Sequence, residues 1–204
     1  MSREHWDGRY LAGAPDKLGW YRPRLDTSLE LIRLLAPTRA ARLLDVGSGA
    51  STLVDDLLAD ELDSATVLDV SPAALAITRE RLGPLATRVN WMVGNVLEVD
   101  LAASHFDIWH DRAVFHFLTE ETARRQYLNQ LAGALEPGGH VVIGAFSPMA
   151  PAKCSGLPVQ RYTLDQLVAT FGARFRLMQD REEAHRTPGG TDQPYVYALF
   201  EFLG

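Results

Sequence analysis

Cysteine is almost missing from this sequence: Cys154 is the only one among 204 residues. A single thiol closes no internal disulfide and builds no thiolate metal cluster. That excludes a disulfide-framework fold and fits a reducing compartment. No apolar run approaches the ~20 residues needed to cross a bilayer. The opening residues, Met1 to Asp7, are polar and lack the apolar stretch of a signal peptide. The expectation is a cytoplasmic protein with no membrane partner. Positive charge is also in deficit: 20 Lys and Arg against 26 Asp and Glu give a formal net charge of −6. This argues against a nucleic-acid partner. There is no internal repeat, and His105, His110 and His116 have no recognised ligand spacing, so no metal is expected.

What is present is ordinary globular composition, with 47% apolar and 23% charged residues. At ~100–200 residues per domain the chain reads as one unit over 1–204. Apolar periodicity predicts helices at 26–36, 52–58 and 72–82, one capped by Thr119 and running to 135, and one at 163–171. It predicts strands at 42–46, 65–70, 89–93, 106–110, 140–146, 175–178 and 195–202. Ser71-Pro72 is an N-cap followed by proline at the first helical position. Loop signals cluster at 147–158 and 187–194. Strand and helix alternate five times before two late strands. The expected fold class is α/β: a three-layer α/β/α sandwich with a mostly parallel seven-stranded sheet and a C-terminal antiparallel hairpin. Ligands of such sheets bind beyond the carboxyl ends of the strands, at the topological switch point.

Those ends carry chemistry. The first reads Leu43-Leu44-Asp45-Val46-Gly47-Ser48-Gly49-Ala50-Ser51. Its glycines permit a tight turn and close ligand approach. A dinucleotide loop counted from Gly47 would place its third glycine at 52, where Thr52 stands. Asp45 at the strand opening would repel a pyrophosphate and attract an ammonium or a sulfonium. The second strand ends in Asp69-Val70, and Asp69 lies 69 − 47 = 22 residues beyond Gly47. That is the position of a carboxylate accepting both ribose hydroxyl hydrogens. The third ends in Gly94-Asn95-Val96, an amide and an apolar residue suited to an adenine edge and face.

With these three ends the chain resembles a class I, seven-strand, Rossmann-like S-adenosylmethionine-dependent methyltransferase, firmly over residues 40–146. The resemblance implies that Asp45, Gly47, Ser48, Gly49 and Ser51 hold the methionine end, Asp69 and Val70 the ribose, and Asn95 and Val96 the adenine. The family usually has Asp at position 95 and often Gly at position 51. The fourth strand continues as Asp107-Ile108-Trp109-His110-Asp111-Arg112-Ala113-Val114-Phe115-His116. It lacks the Asn-Pro-Pro-Tyr or Asp-Pro-Pro-Tyr of enzymes acting on exocyclic amines. Its Asp-Arg-Ala resembles subfamilies acting on thiols and other small nucleophiles, and also a group of lysine methyltransferases. Asp107 is expected to be structural. Asp111 and Arg112 are expected on the active-site wall, with Asp111 also a catalytic candidate. His116 and His185 are candidate general bases. Trp6, Tyr10 and Trp20 in 1–36 suggest a helical lid over the cofactor, or equally a helix using its aromatics as core, with Trp20 or Tyr21 lining the pocket. Residues 147–204 would supply acceptor loops and the hairpin. Cys154 lacks the Pro-Cys setting of a cytosine nucleophile.

The expected activity is methyl transfer from S-adenosylmethionine to a small-molecule acceptor. The alternatives are a protein lysine as acceptor and a non-catalytic S-adenosylmethionine- or adenosine-binding module. The sequence gives neither the methylated atom nor the oligomeric state.

Overall fold

A computed structural model describes residues 2–204. The helices are α1 (Arg3–Leu11), α2 (Asp26–Leu34), α3 (Leu53–Ala59), α4 (Pro72–Leu82), α5 (Glu121–Ala134) and α6 (Leu164–Phe171). The strands are β1 (Leu43–Val46), β2 (Ala65–Asp69), β3 (Val89–Val93), β4 (Phe106–Arg112), β5 (Leu135–Phe146), β6 (Lys153–Cys154), β7 (Leu157–Pro158), β8 (Phe175–Glu183) and β9 (Tyr195–Phe202). Seven of them form one sheet in the order β3-β2-β1-β4-β5-β9-β8. β1 to β5 are parallel, and β9 runs antiparallel to both β5 and β8. The chain moves outward from β1 through β2 to β3, then crosses to β4 on the other side. The switch point therefore lies between β1 and β4.

Period-two alternation splits the sheet's side chains between two apolar layers. In β1, Leu43 packs under α2 and α3 with Leu29, Ile32, Leu53 and Leu57. Leu44 and Val46 face the layer of Trp109, Tyr127 and Leu131 under α5, joined by Phe171 of α6. Both faces are covered, so the parallel strands read as near-continuous apolar runs. The same alternation carries polar residues along. Asp45, His110 and Arg112 point to the α2–α3 side, and Asp111 points to the α5 side.

Local chemistry sets the helix starts. Ser71 Oγ accepts from Ala74 N at 3.1 Å, and Thr163 forms a full capping box with Gln166, as its S/T-x-x-Q pattern allows. Five expectations are corrected. α5 is N-capped by Glu120, without a side-chain bond, not by Thr119. β5 starts at Leu135, because Leu135 pairs with Phe106 across an irregularity that takes up Pro137 to Gly139. β4 and β8 run on to Arg112 and Glu183, and the loop 147–158 holds the small β6–β7 hairpin.

Candidate active site

A cleft of about 700 Å³ opens at the carboxyl ends of β1 to β4. Val46, Gly47, Asp69, Val70, Asn95, Val96, Arg112 and Val114 form its floor, and Trp6, Tyr10 and Trp20 its cover. A second cavity of about 500 Å³ adjoins it, lined by Arg22, Asp45, Ser48, Ser51 and His110. Tyr10, Trp20, Gly47 and Arg112 border both.

The glycine loop is built for backbone approach. Gly47 and Gly49 have φ of 63° and 57°, which strain any L side chain. A Cβ on Gly47 would lie 2.0 Å from Val114, and one on Gly49 2.3 Å from the Tyr10 hydroxyl. Gly47 N and Ser48 N donate to Leu68 O. Gly49 N donates to Asp69 Oδ2 at 2.9 Å, and Ser71 N donates to Asp69 Oδ1 at 2.7 Å. Burial nonetheless dominates at Asp69 and lifts its pKa to about 6.

Asp45 is 2% exposed. The parallel register sets it beside His110, whose Nδ1 lies 2.6 Å from Asp45 Oδ1 and whose Nε2 lies 2.9 Å from Ser28 Oγ of α2. Asp45 Oδ2, Ser48 Oγ and Arg22 Nε are buried without a partner, and all three residues line the second cavity. Ser51 Oγ accepts from Leu53 N, the first amide of α3, whose N-cap residue is Thr52. Arg112 donates to Tyr197 Oη (2.9 Å), Trp20 O (3.0 Å) and Glu183 Oε1 (3.2 Å), and lies 4.5 Å over the Tyr195 ring. Arg22 Nη1 approaches the same Glu183 oxygen at 3.8 Å.

The cover is tied down at two places and joined within itself. Asp7 Oδ1 accepts from Ser71 Oγ at 2.6 Å and Ala73 N at 3.3 Å, at the start of α4. Trp20 Nε1 donates to Tyr10 Oη. Arg9 Nη2 donates to Ser155 O in the β6–β7 hairpin at 2.9 Å. Cys154 of that hairpin reaches the cleft wall, and burial pushes its thiol up to about 11.

The three base candidates stand elsewhere. Asp111 is fully buried on the α5 side, accepting from Val114 N, Phe115 N and Tyr127 Oη, and burial raises it to about 6. His116 is fully buried; its Nδ1 accepts from Phe146 N, and burial with the Arg112 charge lowers it to about 3. His185 is held by Gly19, its Nε2 donating to the Gly19 carbonyl at 2.7 Å, and burial lowers its pKa. None of the three lines the cleft. Asp107 pairs with Arg42 at 2.7 Å at the far end of the sheet. Among residues that sequence reasoning missed, Arg22 has no local signal. His110 could have been found from the parallel pairing of β1 with β4.

Comparison with known proteins agrees with this geometry. A methyltransferase-domain family model matches residues 43–139. Nodulation protein S of Rhizobium fredii is 31% identical over 113 residues, 55% of this chain and 60% of that protein. Across the nodulation protein S relatives the chain spans 47% to 60% of their length. EEF1A lysine methyltransferase 2 of Danio rerio is 22% identical over 97% of this chain and 85% of its own. The crystal structure of the N-methyltransferase NodS from Bradyrhizobium japonicum, solved with S-adenosyl-L-homocysteine, superposes with a TM-score of 0.74 at 18% identity, covering 98% of this chain and 100% of that one. By its strand order and these matches, the chain has the Rossmann-like methyltransferase fold, and its residues 43–139 match the methyltransferase domain.

Proposed function

We propose that this chain transfers the methyl group of S-adenosylmethionine to a nucleophile on a small-molecule acceptor. The observation that carries this reading is the second cavity. A carboxylate oxygen (Asp45 Oδ2), a hydroxyl (Ser48 Oγ) and a guanidinium N–H (Arg22 Nε) all lack partners there. Buried polar atoms are seldom left so unless a ligand or water completes them. An acid and a base facing one small space complement an ammonium and a carboxylate, which is the amino-acid end of the cofactor. A pyrophosphate would meet Asp45 with like charge. Asp69, with the Asn95–Val96 strand end beyond it, suits a ribose diol and a purine.

When bound, the cofactor supplies an electrophilic methyl on a good leaving group. The chain's part is to orient, desolvate and exclude water. Of the titratable groups on the cleft wall, Cys154 and Tyr10 are held protonated by burial. Arg112 is a cation, and Asp69 is committed to the ribose in this reading. No free base faces the acceptor among the described lining residues. The fitting acceptors therefore bring their own lone pair: a thiolate, an ionised phenol or an unprotonated amine. An alkyl ammonium, such as a protein lysine, would need a base that the cleft does not offer. Residues 1–36 act as the lid and 147–204 as the acceptor side within one domain. No helix among the described residues is long and apolar enough to cross a membrane, in keeping with a cytoplasmic setting.

Calorimetric titration with S-adenosylmethionine, S-adenosylhomocysteine and NADH tests the cofactor. Micromolar binding of the first two, ~−8 kcal/mol, weakened in Arg22→Met and Asp69→Ala, is expected; NADH binding in their place would sink the reading. Labelled cofactor offered to a metabolite fraction and a protein fraction tests the acceptor. Label in protein alone would favour the lysine enzyme that the Danio rerio relative represents. Saturable binding with no transfer to any thiol, phenol or amine would leave a binding module.

A further inference from the structure

The second cavity is bordered by a buried residue that the cofactor reading leaves without a role, His110. Asp45 on β1 and His110 on β4 are register partners, so both side chains leave the sheet on the α2–α3 side. His110 is 1% exposed and lines the cavity together with Asp45. Its ring is held at both nitrogens. Nδ1 lies 2.6 Å from Asp45 Oδ1, and Nε2 lies 2.9 Å from Ser28 Oγ in the first turn of α2. An ionised carboxylate only accepts, so the Nδ1 proton is donated to Asp45.

The two oxygens of Asp45 thus have different fates. Oδ1 is engaged by His110, and Oδ2 is buried without a partner. A pair that only fastened α2 to the sheet would have no use for such an atom. A bare carboxylate oxygen out of water is costly, and an apolar pair of similar volume would fasten the helix as well. The cost is offset when Oδ2 meets a partner that arrives with a ligand. On the cofactor reading above, that partner is the ammonium of the amino-acid end. Arg22 Nε, also unpartnered and on the same cavity, would then take the carboxylate of that end. Rotation of the Asp45 carboxylate would turn its free oxygen off this line. His110 removes that freedom, and Ser28 removes the freedom of His110.

We propose that His110, fixed by Ser28, is a positioning residue that aims Asp45 Oδ2 at the ammonium of the bound cofactor and makes this cavity select ligands that carry one. His110 acts through Asp45. Its effect falls on one group of the ligand and leaves the nucleoside contacts at Asp69 and Asn95–Val96 alone.

The test is equilibrium binding of S-adenosylhomocysteine and of its deaminated analogue, which keeps the carboxylate and the nucleoside and has hydrogen in place of the ammonium. Wild type should prefer S-adenosylhomocysteine by roughly tenfold or more, the scale of one charge-assisted hydrogen bond. His110→Leu should erase that preference by weakening S-adenosylhomocysteine alone, with the analogue binding as before. His110→Asn, whose amide offers Asp45 Oδ1 a donor again, should restore most of it. Ser28→Ala loosens the ring without removing it and should cut the preference about threefold. That variant carries the test if circular dichroism finds His110→Leu unfolded. Equal weakening of both ligands in His110→Leu would make the pair a structural staple and overturn the proposal. So would an unchanged preference in His110→Leu or Ser28→Ala, no recovery in His110→Asn, or no preference in wild type. Each of these outcomes leaves the cofactor reading intact. No binding of either ligand to wild type would overturn that reading and the proposal with it.

Discussion

Asp69 accepts two backbone hydrogen bonds and is still hard to ionise, because desolvation at its buried site outweighs them. Its charged form is the one that can accept hydroxyl hydrogens from a diol. Affinity for S-adenosylhomocysteine should therefore be flat above pH ~7 and fall as the pH drops through about 6, the pKa of Asp69. Asp69→Asn should lower affinity and remove that pH step, and titration calorimetry from pH 5 to 8 checks both. The linkage runs the other way for the free protein. A folded pKa raised above the unfolded ~3.9 stabilises the fold fully at low pH, and that contribution is lost as the pH rises through about 6. His116 gives a contrasting expectation. With its pKa near 3 and its Nδ1 on a backbone N–H, His116→Gln should change stability and leave the acidic limb of the kcat profile where it was. A shift of that limb would return His116 to the mechanism. At this scale the sequence was informative wherever a position depends on local spacing, as for Asp45, Gly47, Gly49 and Asp69 at the strand ends. It was silent wherever partners meet across the fold. His110 lies 65 residues from Asp45, and Glu183 lies 71 from Arg112.

Strands explain the remaining misplacement. In β4 the side chains alternate, so His110 and Arg112 reach one face and Asp111 the other. Asp111 therefore serves Tyr127 and the turn at Val114–Phe115 rather than the cleft. The motif was legible, but assigning all of it to one wall ignored the period of two. Arg112 in turn joins β4, β8, β9 and the lid through Glu183, Tyr197 and Trp20. Removing one partner of such a buried pair strands the other. Arg112→Leu should cost about 3–5 kcal/mol in urea denaturation, and Arg112→Leu/Glu183→Leu less than the sum of the singles. The helices also give a clean expectation. Thr163→Ala removes the α6 capping box and should cost ~1 kcal/mol. Asp7→Ala breaks the tie between α1 and α4 and should speed trypsin cleavage within residues 3–24 much more than it lowers Tm.

For the molecule as a whole, the mostly parallel sheet, the layers and the late hairpin were all legible, because buried parallel strands and their crossover helices leave distinct apolar periods; the order of the strands was not. The β6–β7 hairpin was not, since two-residue strands have no period. In the cover of the cleft, α1 buries only Tyr10, and Trp6, Tyr10 and Trp20 lie against the cleft. A ligand beneath that cover should therefore stabilise the lid together with the core. At a hundred times Kd, S-adenosylhomocysteine should add ~2.7 kcal/mol of stability and suppress the trypsin cuts near the N-terminus. Two of the four tryptophans, Trp6 and Trp20, stand in that cover. Trp109 is sealed in the core, bonded to Tyr127, and Trp91 lies on β3 against Arg79. The protein thus carries its own optical gauge: occupancy of the cleft should change the emission of Trp6 and Trp20 against a constant signal from the other two, so entry and departure of a ligand can be timed in unlabelled protein.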